Sequence, residues 1–175
     1  MEEKIIIRKQ QYEDVECCAK LNILVWRDAY KHIFPKQVFE VQQQNISNKI
    51  QMFKSGLDDD NILTYVAEIN GEIVGYFSGS LHSQYSCFAD KGYADLLAIY
   101  INPKFQGKGI ATQFKKVFIE WLHKNGKEKF VVGVLEHNKN ARLVYEKWGG
   151  ILSDYTQSFK MLDNDYCEVF YTYTI

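Results

Sequence analysis

Residues 95–112, D-L-L-A-I-Y-I-N-P-K-F-Q-G-K-G-I-A-T, restrict the fold more than any other part of the 175-residue chain. Residues 96–101 form an unbroken apolar and aromatic run, which suits a strand buried on both faces. Asn102-Pro103 ends it, because proline has no N–H to give to a sheet ladder. Gln106-Gly107-Lys108-Gly109 then leads straight into a predicted helix, where Ile110, Phe114, Val117, Phe118, Trp121 and Leu122 recur at helical spacing. Strand, turn, glycine-rich loop and helix start, in that order, make an anion-binding device. The first amides of a helix have no partner within it, and its dipole adds partial positive charge at the same end. Gly107 and Gly109 let the backbone approach a phosphate closely, and Lys108 adds a flexible point charge.

Two common phosphate loops do not fit. A Walker loop would need glycine at Asn102 and Ser or Thr at Gly109, and a dinucleotide fingerprint would need a third glycine where Thr112 stands. The pattern present is Q-x-x-G-x-A, filled by Gln106, Gly109 and Ala111. A second motif follows a second buried run, residues 130–135. It contains Asn138, Ala141, Tyr145, the charged pair Glu146-Lys147 and Gly149. Together the two motifs resemble the GCN5-related N-acetyltransferase (GNAT) family, whose acyl-CoA loop reads Q-x-x-G-x-A and whose next helix carries N-x-x-A and then a tyrosine. The resemblance covers essentially the whole chain. One departure is visible: Gly150 stands where the family usually has an aromatic residue.

The resemblance implies a mixed α/β fold, residues 1–175 as a single acyltransferase domain, with a mainly antiparallel sheet of six or seven strands and about four helices. It implies acetyl transfer from acetyl-CoA to a primary amine, with no metal. In that reading the backbone of Ile99, Tyr100 and Ile101 holds the pantetheine arm like an added strand. Gln106, Gly107, Lys108, Gly109, Ile110, Ala111 and Thr112 hold the pyrophosphate, and Asn138 contacts the cofactor from the other side. Tyr145 matches the family's general acid for the leaving thiolate; the alternative is a tyrosine packed at a strand–helix junction. Asp95 stands where many members carry a glutamate base, one methylene longer, and otherwise reads as a strand-edge carboxylate. Glu68, Asp90 and His82 are fallback bases. An acyl-CoA sensor of the same fold without turnover is the alternative function.

The remaining chain supplies context. A formal net charge of −1 gives no reason to expect nucleic acid or an anionic membrane as partner. No apolar run is long enough for a membrane span, and Met1-Glu2-Glu3-Lys4 is too polar to open a secretion signal, so a cytoplasmic protein is expected. Cys17, Cys18, Cys87 and Cys167 lack metal-ligand or disulfide-framework spacing and read as free thiols. Residues 5–8 are a first strand. Val15, Cys18, Leu21, Val25 and Ala29 stripe a first helix. At its end Trp26 and Tyr30 either pack together, four residues apart, or line the acceptor pocket. Pro35 opens a second helix towards Lys54, with an exposed face or a break at residues 42–45. Asn70-Gly71 marks a hairpin turn. Residues 84–91, including Tyr85, read as a loop bordering the acceptor site. A last hairpin turns at Asp163-Asn164-Asp165, and its Tyr- and Phe-rich strands leave a homodimer open.

Overall fold

The computed structural model describes residues 4–175, so Met1-Glu2-Glu3 of the polar start lie outside the described residues. Seven strands and six α-helices alternate along the chain: β1 (Ile5–Lys9), α1 (Val15–Tyr30), α2 (Lys36–Gln44), α3 (Ile46–Leu57), β2 (Ile62–Ile69) and β3 (Glu72–Ser80). There follow α4 (Ser86–Ala89), β4 (Ala94–Ile101), α5 (Ile110–Lys124), β5 (Lys129–Leu135), α6 (Lys139–Lys147), β6 (Ile151–Met161) and β7 (Asn164–Thr174). The strands form one sheet in the order β1-β2-β3-β4-β5-β7-β6. Pairing is antiparallel in β1–β2, β5–β7 and β6–β7, and parallel in β4–β5.

By contact density the chain divides into two compact units. One takes in the chain up to Gly79 together with Ala98–Trp121, and the other Ser80–Leu97 with Leu122–Ile175. In the first, α1 buries Cys18, Leu21 and Val25 against Val66 and Tyr76, with Phe53, Ala98 and Tyr100 packed around them. Burial pushes the Cys18 thiol up to about 12, so it behaves as a small core hydrophobe. Before α1, Arg8 grips Asp14 at 2.7 Å and Glu68 at 3.0 Å, which holds the Asp14 carboxyl below its ordinary range and fixes the helix start on β1. The apolar stripe of α5 is as predicted, with Ile110, Phe114, Phe118 and Leu122 all buried. A Cβ on Gly79 of β3 would run into the Phe118 ring. Gly79→Ala therefore overpacks the core and should lower unfolding free energy by about 1–3 kcal/mol, read from urea midpoints.

In the second unit Phe88, Val131 and Phe170 form the core, flanked by Tyr85, Cys87 and Tyr93. Phe130 of β5 stacks on Tyr173 of β7 at 4.2 Å. That same Tyr173 accounts for the departure at Gly150. A Cβ at position 150 would lie 2.6 Å from the Tyr173 hydroxyl and 2.9 Å from the Tyr145 carbonyl, so the space is already filled by an aromatic ring from another strand.

Of the two readings open for residues 42–45, the break is the one found: the helix divides at Asn45 into α2 and α3, because Asn45 leaves helical geometry (ψ 17°) after the polar run. Gly56 is the penultimate residue of α3. Two expectations need correction. Ala29 is exposed rather than part of the stripe of α1. The last hairpin turns at Leu162-Asp163, not at residues 163–165: Met161 pairs with Asn164, and Leu162 takes the left-handed conformation (φ 54°) that a two-residue turn demands. The Asn70-Gly71 turn is as expected, with φ of 51° and 81°. No described helix is long and apolar enough to cross a membrane.

Candidate active site

The glycine-rich loop belongs to the first unit. Gly107 and Gly109 have φ of 76° and 81°, conformations that cost an L side chain about 1–2 kcal/mol. A Cβ at either would meet no protein atom within 4 Å, so backbone conformation and not crowding calls for glycine, and the space beside them is open. The Gln113 amide closes onto the Gly109 carbonyl at 3.1 Å, and the amides of Gly109, Ile110, Ala111 and Thr112 precede that bond. Among the described residues, those of Gly107, Gly109, Ile110 and Ala111 have no acceptor. Residues 106–109 are exposed, whereas Ile110 is buried and pins the helix start to the core. Gln106 folds back to donate to the Ile101 carbonyl at 3.2 Å, and Lys108 lies 5.8 Å over the Phe105 ring. The Asn102 amide donates to Val74 at 2.8 Å, where β4 ends.

In the same unit the structure joins two residues that the sequence placed far apart. Trp26 Nε1 donates to the Tyr100 hydroxyl at 2.9 Å, and Tyr100 tilts onto Tyr76 at 5.5 Å. Trp26 also meets Tyr30 edge-on at 4.9 Å and stacks on Phe34 at 5.7 Å. Trp26 and Tyr30 thus pack against each other. Beside them, Lys49 donates to Asn22 and Asn22 to the Tyr76 hydroxyl at 2.8 Å; burial lowers the Lys49 pKa.

The second unit holds the acids Asp95 and Glu168. Asp95 of β4 is 1% exposed. Its Oδ2 accepts from the Gln84 amide at 3.1 Å and from Ser83 Oγ at 3.3 Å. Burial raises its pKa from 3.8 to about 6, against the lowering effect of those two donors, and the charge of Glu168 raises it further. Tyr85 lies beside both acids: its amide donates to Ser83 Oγ at 3.3 Å and its hydroxyl to Glu168 Oε2 at 3.1 Å. Glu168, on β7, has its own pKa raised, first by desolvation. The residues around 84–91 are therefore not a plain loop but carry the one-turn helix α4. The parallel ladder between β4 and β5 spans only Ala94↔Phe130 and Asp95↔Val131.

On α6, Asn138 is the N-cap, its Oδ1 accepting from the Ala141 amide at 3.2 Å, so this motif asparagine has a structural duty. Tyr145 is buried, its ring edge-on to Trp148 at 5.8 Å and tilted to Tyr171 at 6.0 Å. Of the fallback bases, Glu68 is held by Arg8, while Asp90 and His82 are exposed. Sequence reasoning missed Glu168. The available signal was a lone acid inside the apolar run Cys167-Glu168-Val169-Phe170.

Residues 23–150 match the model of the acetyltransferase (GNAT) family. The chain belongs to that family. A curated relative, an uncharacterized N-acetyltransferase of Methanocaldococcus jannaschii, is 29% identical over 92 residues, which are 53% of this chain and 39% of the relative. Among solved structures, the PaiA N-acetyltransferase of Thermoplasma acidophilum, in complex with coenzyme A, superposes with a TM-score of 0.76 at 18% identity, covering 98% of this chain and 99% of that one. An N-acetyltransferase of Staphylococcus aureus Mu50 gives 0.72 at 20%, covering 98% of both chains. The yncA protein of Salmonella typhimurium, solved with its cofactor acetyl-CoA, gives 0.68 at 16%, covering 97% and 93%. These likenesses establish a GNAT fold. The family match takes in Trp26, Tyr30, Tyr85, Asp95, the loop, Asn138 and Tyr145, but stops short of Glu168. Among the described residues no group of three or more His, Cys, Asp or Glu side chains could hold a metal ion.

Proposed function

We propose that this GNAT protein binds acetyl-CoA and transfers the acetyl group directly to a primary amine in a ternary complex. The observation that carries this reading is the exposed loop at the start of α5, with two left-handed glycines and a run of unpartnered amides. Family membership and the coenzyme A and acetyl-CoA complexes of its structural neighbours support the choice of anion. Titration of the full chain with coenzyme A in a calorimeter tests it; no heat of binding would end this reading.

In the proposed reaction, residues 106–112 take the pyrophosphate and the backbone of residues 99–101 takes the pantetheine arm as an added strand. The shortness of the β4–β5 ladder supports that second assignment. Trp26, Tyr30 and Tyr85 are proposed to line the acceptor side, and Asn138 to reach the cofactor as well as cap α6. The whole of residues 1–175 acts as one acyltransferase domain. A homodimer through β6 and β7 belongs to the same proposal; β6 ends the strand order and exposes Ile151 and Leu152.

Chemically, an alkylamine at neutral pH is mostly an ammonium ion and must lose a proton before attack. Asp95, its pKa raised by burial to about 6, is a proton acceptor that works through its neighbours because it is sealed from solvent. The nitrogen lone pair attacks the thioester carbonyl carbon, and the C–S bond breaks with its electron pair going to sulfur. The thiolate takes a proton from Tyr145, and the second proton that the nitrogen loses on becoming an amide restores the Tyr145 hydroxyl. Removing that acid should slow the chemical step: Tyr145→Phe is expected to cut kcat by about 100-fold with coenzyme A affinity preserved. Unchanged turnover at saturating acetyl-CoA would remove Tyr145 from the mechanism.

A further inference from the structure

Helix α6 is weakly anchored for an element that carries a proposed general acid. Among its described residues only Tyr145 is buried, while Leu143 and Val144 are exposed. So short a helix has little stability of its own and takes its position from tertiary contacts. Its last turn closes with a glycine cap: the Gly149 amide donates to the Glu146 carbonyl at 2.9 Å, and the Gly150 amide to the Tyr145 carbonyl at 3.0 Å. A carbonyl oxygen has a second lone pair. Here the buried Tyr173 hydroxyl of β7 donates to that same Tyr145 oxygen at 2.8 Å. Burial raises the Tyr173 pKa, so the hydroxyl stays a donor at neutral pH. Its ring is fixed in turn by Phe130, its register partner on β5, with the two planes only 6° apart. Two residues back along β7, and so on the same strand face, Tyr171 holds α6 by its side chains. The Tyr171 hydroxyl accepts from Arg142 Nε at 3.0 Å and donates to Glu146 Oε1 at 2.6 Å.

We infer that Tyr173 is a positioning residue for acetyl transfer: its hydroxyl braces the last turn of α6 from β7 and so fixes the place from which Tyr145 delivers its proton. This rests on the acetyl-transfer reading above, in which Tyr145 protonates the departing thiolate. Proton transfer needs its two heavy atoms within hydrogen-bond reach, and a displacement of about 1 Å can cost on the order of 100-fold in rate. Tyr173 reaches Tyr145 through the backbone carbonyl and not through the phenol, so it governs where Tyr145 stands and not how acidic it is. The Tyr145 ring lies between Trp148, at the end of α6, and Tyr171 of the bracing strand. Gly150 belongs to the same device, because a Cβ there would lie 2.6 Å from the Tyr173 hydroxyl and push it off the carbonyl.

The experiment follows free coenzyme A after adding acetyl-CoA and n-butylamine, ethanolamine or 1,4-diaminobutane to the full chain. It compares the wild type with Tyr173→Phe, Tyr145→Phe and the double variant. Phenylalanine keeps the stack on Phe130 and removes only the bond to the Tyr145 carbonyl. Tyr173→Phe should lower kcat about tenfold, with KM for acetyl-CoA and calorimetric coenzyme A affinity within about twofold of the wild type. Added to Tyr145→Phe, the same change should cost less than about twofold, because no hydroxyl is left at position 145 to be placed. Gly150→Ala, which displaces the Tyr173 hydroxyl without removing it, should give the same pair of results and covers the case in which Tyr173→Phe does not fold. Equal losses in the two backgrounds, or no loss in either, would overturn the brace and leave Tyr145 as the acid. Unchanged turnover in Tyr145→Phe alone would remove acid and brace together and leave acetyl transfer standing. A wild-type protein that binds coenzyme A but releases no thiol with any of these amines would overturn the transfer reading and the brace alike.

Discussion

Valine in place of Gly109 will weaken coenzyme A binding about tenfold to 100-fold while leaving thermal unfolding nearly unchanged. Gly109 holds φ at 81°, and a non-glycine residue kept in that region pays about 1–3 kcal/mol, the upper part of the range when β-branched. At 1.4 kcal/mol for each tenfold, that strain spans the stated loss. The loop is exposed and nothing in the protein approaches a Cβ there, so the free variant can relax out of the strained conformation without disturbing the buried face of α5. The cost then appears when a ligand requires the amides to be arrayed again. Calorimetry with coenzyme A beside a thermal melt separates the two effects. Undiminished affinity would mean that the start of α5 does not hold the diphosphate.

Asp95→Asn is expected to stabilise the protein at neutral pH by up to about 3 kcal/mol. The native carboxyl titrates near 6 and the unfolded one near 3.8, a difference worth about 1.4 kcal/mol per pH unit. Because the folded value is the raised one, the stability linked to this group is fully present below 3.8 and is lost as pH rises through about 6. Asparagine keeps an oxygen for Ser83 and Gln84 and has no charge to desolvate. Its advantage over the wild type should therefore be largest at pH 7 and fade towards pH 4, as read from urea midpoints across that range. A gain independent of pH would show that burial of the ionised form is not what strains this site. A buried acid kept at such a cost is consistent with the proton-acceptor role proposed for Asp95.

How far the sequence alone reaches depends on whether the physics is local. The strands β4 and β5 follow from apolar runs, the β2–β3 turn from Asn-Gly, and the loop before α5 from glycines next to a helical stripe; each needs only neighbours along the chain. Asn45 was harder, because a polar stretch is compatible with an exposed helical face and with a break alike. Leu162 was misplaced because leucine is a poor choice for a left-handed turn, and three polar residues beside it carried the stronger turn signal. The Glu168 site was illegible for another reason. Its surroundings depend on Tyr85, 83 residues earlier, and on the missing Cβ of Gly133, whose place the carboxylate takes; neither leaves a periodic trace.

The fit of Tyr173 over Gly150 has a consequence for how relatives of this chain should be compared. Bulk that the family usually carries just after the α6 glycine is delivered here from the final strand, two dozen positions downstream. A side chain at position 150 could be housed only if the Tyr173 ring gave up this space. The two positions are therefore expected to vary together among relatives, a coupling that no column-by-column comparison would register.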